Sequence, residues 1–189
     1  MNIKNICKNF ENDGYVILPK FLNRLKIKII LSQLNELINI PLDTINPNLK
    51  KKLTLDEKYL FLLKKNPELK SHFYDSIRFI DSINGISNSI KLTNIAKKIL
   101  NEKAIFVGTS QIRIDHMSDV YFLPQHQELG QMSTKLVSFY MPLVNLNKKS
   151  GGLFIRPKTH KLGFVHYKGC NKEAREAGHG RQKILDELF

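Results

Sequence analysis

The sequence changes character near residue 103, and that change limits which folds the chain can form. Before it, apolar residues recur every three or four positions, as on one face of a helix; after it, the period shortens toward two, as along a strand. Leu22 to Ile40 places Leu25, Ile29, Leu34, Leu37 and Ile38 on such a face, with Pro41 as the expected stop. Leu55 to Lys65 and Glu68 to Ile83 repeat the pattern on either side of Pro67, and Leu92 to Leu100 reads as a last short helix capped by Thr93 or Asn94. One strand is expected within this half: Tyr15 to Leu18, β-branched and apolar, between the Asp13-Gly14 turn and Pro19.

In the second half, Ala104 to Val107, Gln111 to Asp115, Leu136 to Val144 and Leu153 to Arg156 read as strands, broken at Gly108, Pro124, Asn145 to Gly152 and Pro157. The segment from Asn145 to Gly152 has the composition of a hairpin connection. The expected class is α+β, with helices over residues 1–102, strands over 103–167 and a polar helical tail over 168–189. Five strands are about half of an eight-stranded double-sheet jelly roll, so sheet edges would be left uncovered.

Composition excludes several classes. With 42% hydrophobic and 25% charged residues in 189, the chain can bury a core, and disordered or disulfide-rich classes are out. Its apolar runs fall short of the ~20 residues of a spanning helix. Residues 1–10 carry Asn and Lys throughout and lack the apolar run of a signal peptide, so a cytoplasmic location without membrane partners is expected. Cys7 and Cys170 stand far apart, outside any metal-ligand spacing, and read as reduced thiols. A net charge of +13 raises the possibility of a polyanionic partner. However, only six of the 30 basic residues are Arg, and the Lys are scattered among Asn and Ile, so no nucleic-acid partner is expected.

Gln125-His126-Gln127-Glu128 is the sharpest chemical feature. In an extended segment His126 and Glu128 project to one face roughly 7 Å apart, and slight curvature lets both reach one metal ion. Imidazole and carboxylate are the ligand types of the 2-His-1-carboxylate facial triad of non-haem Fe(II) oxygenases. The spacing alone carries little weight, because six His and 17 acids give roughly 0.5 such pairs by chance.

Four blocks, in order, give that pair a context. Phe10-Glu11-Asn12-Asp13-Gly14-Tyr15-Val16-Ile17-Leu18-Pro19-Lys20-Phe21-Leu22 resembles the N-terminal signature of the phytanoyl-CoA dioxygenase family. Gln111 to Asp115 looks like its first jelly-roll strand, and His126-Gln127-Glu128 stands where that family has an H-Q-D iron motif. Val137 to Leu143 matches the next strand, and Ser150-Gly151-Gly152-Leu153-Phe154-Ile155-Arg156-Pro157-Lys158-Thr159-His160-Lys161 resembles the N-G-x-L-x-x-x-P-G-[ST]-H-K segment. The chain departs from the family at Glu128, where Asp is usual.

The resemblance implies a single domain with a cupin-like double-stranded β-helix, or jelly roll, flanked by N-terminal helices. It also implies an Fe(II)- and 2-oxoglutarate-dependent dioxygenase that hydroxylates a small-molecule substrate with O2. His126 and Glu128 would be the metal ligands. Gln111 and Arg113 alternate onto one face that either binds the cosubstrate carboxylate or is solvated, and Tyr140 either flanks the cosubstrate or packs in a core. His160 reads as a turn residue, while His72, His116 and His166 have no partner pattern. The family's second iron histidine, and the Arg for the far carboxylate of 2-oxoglutarate, come from strands beyond the P-G-[ST]-H segment. The 189 residues do not include that region, and His179, in a glycine-broken stretch, is a poor substitute. The expectation is therefore a C-terminally truncated chain with an incomplete barrel. The alternative is a non-catalytic cupin-like binding module that has lost the iron site.

Overall fold

The computed structural model describes residues 2–108, 110–112, 114, 135–147 and 152–163. These fall into two compact units. One holds 18–94 with 104–114, and the other holds the chain up to Ile17, Ile95–Lys103 and the described residues beyond 114. The helices are α1 (Ile3–Asp13), α2 (Arg24–Ile45), α3 (Leu55–Lys65), α4 (Leu69–Ile77), α5 (Asp81–Ser87) and α6 (Ile90–Leu100), with short 3₁₀ turns at Pro47–Leu49 and Thr159–Leu162.

The first unit is organised by α2. Asn23 caps it, its side chain accepting from the Lys26 N–H at 2.8 Å. Its buried residues, Ile30, Leu34, Ile38 and Leu42, repeat every fourth position and form the seam against α3, α4 and α5. This seam differs from the expected one, since Leu25 and Ile29 are exposed. Apolar residues occupy so much of α2 that spacing admits two stripes, and the helices packed against it select one. The helix also runs through Pro41 to Ile45. An interior proline costs about 3 kcal/mol. Leu42 immediately after it has no exposed surface, and burying a leucine contributes about 1.5–3 kcal/mol, which holds the last turn in place.

α3 spans the residues its pattern predicts. Thr54 and Glu57 form a capping box, the Glu57 N–H donating to the Thr54 hydroxyl and the Thr54 N–H to the Glu57 carboxylate. Those bonds from the Thr54 backbone and hydroxyl hold the Glu57 carboxyl below its usual range. Tyr59 of α3 meets Phe73 of α4 with ring centroids 5.8 Å apart. The continuous helix expected over 68–83 is instead two, α4 and α5, broken at Arg78–Ile80. The buried pairs are Phe73 with Ile77 and Ile83 with Ile86. On one straight helix Ile77 and Ile83 would point about 120° apart, so a break lets both pairs face the core. α6 starts two residues earlier than expected, capped by Ser89, whose hydroxyl accepts from the Leu92 N–H at 3.4 Å. Neither Thr93 nor Asn94 is its cap.

The expected jelly roll is overturned: no strand forms among the described residues, which are helices and irregular connections. Tyr15 to Leu18, Ala104 to Val107, Leu136 to Val144, Leu153 to Arg156 and the described part of Gln111 to Asp115 are all non-strand. Alternating β-branched and aromatic residues express only a local preference, and a strand exists only when a neighbour completes its ladder and one face is buried. Here Phe106 is 93% exposed, and the consecutive Leu153, Phe154 and Ile155 are all exposed, so no inner face has formed. No helix among the described residues is long and apolar enough to cross a membrane.

The most buried polar group of the seam is Lys58. Lys58 of α3 is 3% exposed, and its Nζ donates to Asn35 Oδ1 of α2 at 2.7 Å. Removing the acceptor leaves a buried amine without this bond, whereas replacing the amine by an apolar group of similar shape leaves only the half-buried Asn35 amide without it. Asn35→Leu is expected to lower unfolding free energy by about 2 kcal/mol, and Lys58→Met to change it by less than about 1 kcal/mol. Urea melts of the two variants check this. The reverse order would mean that the amine, not its satisfaction, stabilises the seam.

Candidate functional site

The second unit contains an unexpected helix and a long-range contact made by it. α1 begins at Asn2, whose side chain accepts from the Lys4 N–H at 3.1 Å. It ends at Gly14, whose φ of 79° is left-handed and whose N–H bonds the Phe10 carbonyl at 2.8 Å. A helix C-terminus leaves carbonyls without intrahelical partners. Two of these are met by a segment roughly 150 residues later: the Lys158 N–H donates to Asp13 O at 2.8 Å, and His160 Nε2 lies 2.9 Å from Glu11 O. A carbonyl can only accept, so Nε2 carries the proton.

The fit is close. A Cβ placed on Gly14 would lie 2.4 Å from His160 Nδ1 and 2.9 Å from its Cγ, so the imidazole stands where any other residue would carry a side chain. Glycine is required here twice, by φ and by the ring. On the other side of the contact Lys158 has φ 67° and ψ 0°, the conformation of the third residue of a type II turn, with Pro157 before it. That conformation normally selects glycine. The Thr159 hydroxyl donates to Arg156 O at 3.0 Å and ties the turn together. His160, expected as a turn residue, thus bonds the main chain of a distant helix.

The residues expected to hold iron and cosubstrate are only partly visible. His126, Glu128 and Arg113 lie outside the described residues, as do His116, His166 and His179. Gln111 is exposed in the first unit, and Tyr140 is half exposed in the second, which does not favour a packed-core role for Tyr140. His72 sits exposed on α4. No group of three His, Cys, Asp or Glu is gathered among the described residues in a way that could hold a metal ion. Gly14 and Lys158 were missed as a pair by sequence reasoning; the available signal was that both stand in turn motifs that demand a left-handed residue. Compared with models of known protein families, with curated proteins and with solved structures, the chain matches none.

The interlock predicts a coupled mutational response. Gly14→Ala should cost more than the about 1–2 kcal/mol of its φ alone, because the new methyl strikes the ring. In a His160→Ala background it should cost only that amount, and His160→Ala alone about 1 kcal/mol. Lys158→Gly should stabilise by about 0.5–1 kcal/mol. Chemical denaturation of the single and double variants reads the coupling; additive Gly14 and His160 effects would rule out the contact.

Proposed function

We propose that this chain is a non-haem Fe(II)- and 2-oxoglutarate-dependent oxygenase, similar to the phytanoyl-CoA dioxygenases, that hydroxylates a small molecule. The observation that carries the reading is the meeting of two of the four resembling blocks. The Asp13-Gly14 turn of the first is bonded to the Lys158–His160 turn of the last, although roughly 150 residues separate them. A second observation agrees with it. Lys158, at the position where the resembling motif has Gly, adopts the left-handed backbone that explains such a glycine. The reading rests on these residues and on the order of the blocks, and not on a jelly roll.

The donor chemistry of His126 and Glu128 suits Fe(II), since one imidazole and one carboxylate supply two thirds of a facial ligand set. When bound, iron and 2-oxoglutarate supply the oxidation of a substrate C–H bond by O2. His126 would hold the metal as the neutral imidazole, and Glu128 would add the anionic charge that binds a dication. The Glu128 carboxylate would stand one methylene further from the backbone than the usual Asp. Arg113 supplies a guanidinium that matches a carboxylate with two parallel hydrogen bonds, and Gln111 an amide donor, for orienting the cosubstrate. Tyr140 would supply a ring face and a hydroxyl, as the resemblance implies.

The test is succinate release from 2-oxoglutarate with Fe(II), measured on the complete gene product without added substrate. Wild type should release succinate above the protein-free background, His126→Ala should fall to that background, and Glu128→Asp should retain or raise the rate. Equal inactivity of folded wild type and His126→Ala would overturn the oxygenase reading and leave a non-catalytic binding module.

A further inference from the structure

A second candidate site is formed by α1 and α6, and it does not rest on the proposed oxygenase chemistry. Ile3, Lys4, Cys7, Lys8 and Glu11 of α1, together with Lys98 of α6, line a depression of about 400 Å³, within the range of small-ligand sites. Ile3, Lys4, Cys7, Lys8 and Glu11 share this face because they repeat at three- and four-residue steps along α1. Ile3 and the half-buried Cys7 give it an apolar floor, and the exposed Lys side chains surround that floor.

The charge arrangement has no internal explanation. Lys4 and Lys8 are like charges one helical turn apart, which is unfavourable, and Lys4 lies in the first turn of α1, where the helix dipole also disfavours a cation. Among the described residues, the ion pairs are Lys50 with Asp43 and Arg78 with Asp75; neither involves this face. Three ammonium groups against the one carboxylate of Glu11 leave two positive charges on the rim. Lys98 lies in the last turn of α6, where the dipole favours it, but Lys4 stands against both Lys8 and the dipole of α1, and a bound anion relieves both.

We propose that this depression binds an organic phosphate monoester. Its apolar body rests on Ile3 and Cys7, and its dianionic head meets Lys4, Lys8 and Lys98. The dianion matches the net rim charge, and lysines bind phosphate as point charges without demanding a fixed bidentate geometry. An alcohol of the same apolar body lacks the charge, a monocarboxylate neutralises half of it, and Glu11 excludes more highly charged anions.

Hexyl phosphate is the probe, titrated calorimetrically into the full chain at low salt, with hexanoate and hexanol as comparisons. Hexyl phosphate should bind at least about tenfold tighter than hexanoate and hexanol not measurably, with affinity falling as salt is raised. Lys4→Gln combined with Lys98→Gln should weaken it roughly fivefold or more, with the helical circular dichroism unchanged. As an independent readout, hexyl phosphate should slow alkylation of Cys7 by neutral iodoacetamide, followed by peptide mapping, and leave Cys170 unaffected. Equal binding of hexanoate, or binding indifferent to the Lys substitutions, or no protection of Cys7, would each overturn the proposal.

Discussion

The end of α1 imposes a constraint that reaches far along the chain. A helix that stops leaves carbonyl groups facing outward, and these must be met by water, by a cap or by another segment. Gly14 supplies the left-handed residue that turns the chain away, and its missing side chain opens the space into which His160 fits. The Lys158 N–H and the His160 ring then satisfy Asp13 and Glu11. The two turns are thus mutually dependent, one providing acceptors and room, the other donors and a ring. This dependence ties the beginning of the chain to the turn at Lys158–His160.

Packing in the other unit follows from a different economy, that of a single long helix surrounded by shorter ones. α2 presents Ile30, Leu34, Ile38 and Leu42, and α3, α4 and α5 cover them. Two irregularities, Pro41 within α2 and the break between α4 and α5, are offset by burial on their far sides, at Leu42 and at Ile83 and Ile86. The polar Lys58–Asn35 bond sits within the same seam and is tolerated because it is made.

How much of this was legible in the sequence varied with how local its cause is. α3 was readable to its ends because its pattern, its Thr54–Glu57 cap and its charge placement all agree. The seam of α2 was legible only in part: Leu34 and Ile38 are buried as expected, but Leu25 and Ile29 are exposed, since an Ile- and Leu-rich helix leaves the choice of face to its neighbours. α1 escaped notice because its Asn and Lys residues mask apolar positions at Ile3, Ile6, Cys7 and Phe10. The expected strands failed for the converse reason: Tyr15 to Leu18 and Leu153 to Arg156 have strand-like side chains, but a ladder depends on partners that local pattern does not specify. Gly14 and His160 could each be read as turn residues, yet their contact is a fact of tertiary structure. His126, Glu128 and Arg113 were legible only as a motif in order with others, and the described residues do not include them.

The functional account depends on one claim, that His126 and Glu128 share a single divalent metal ion. Its most direct measurement is Co(II) titration of the complete gene product, following the visible d–d absorption as a surrogate for Fe(II). The account predicts saturation at one ion per chain, loss of the band in both His126→Ala and Glu128→Ala, and displacement of Co(II) by Fe(II). A folded wild-type protein that gives no such band, or a band that survives both substitutions, would contradict it.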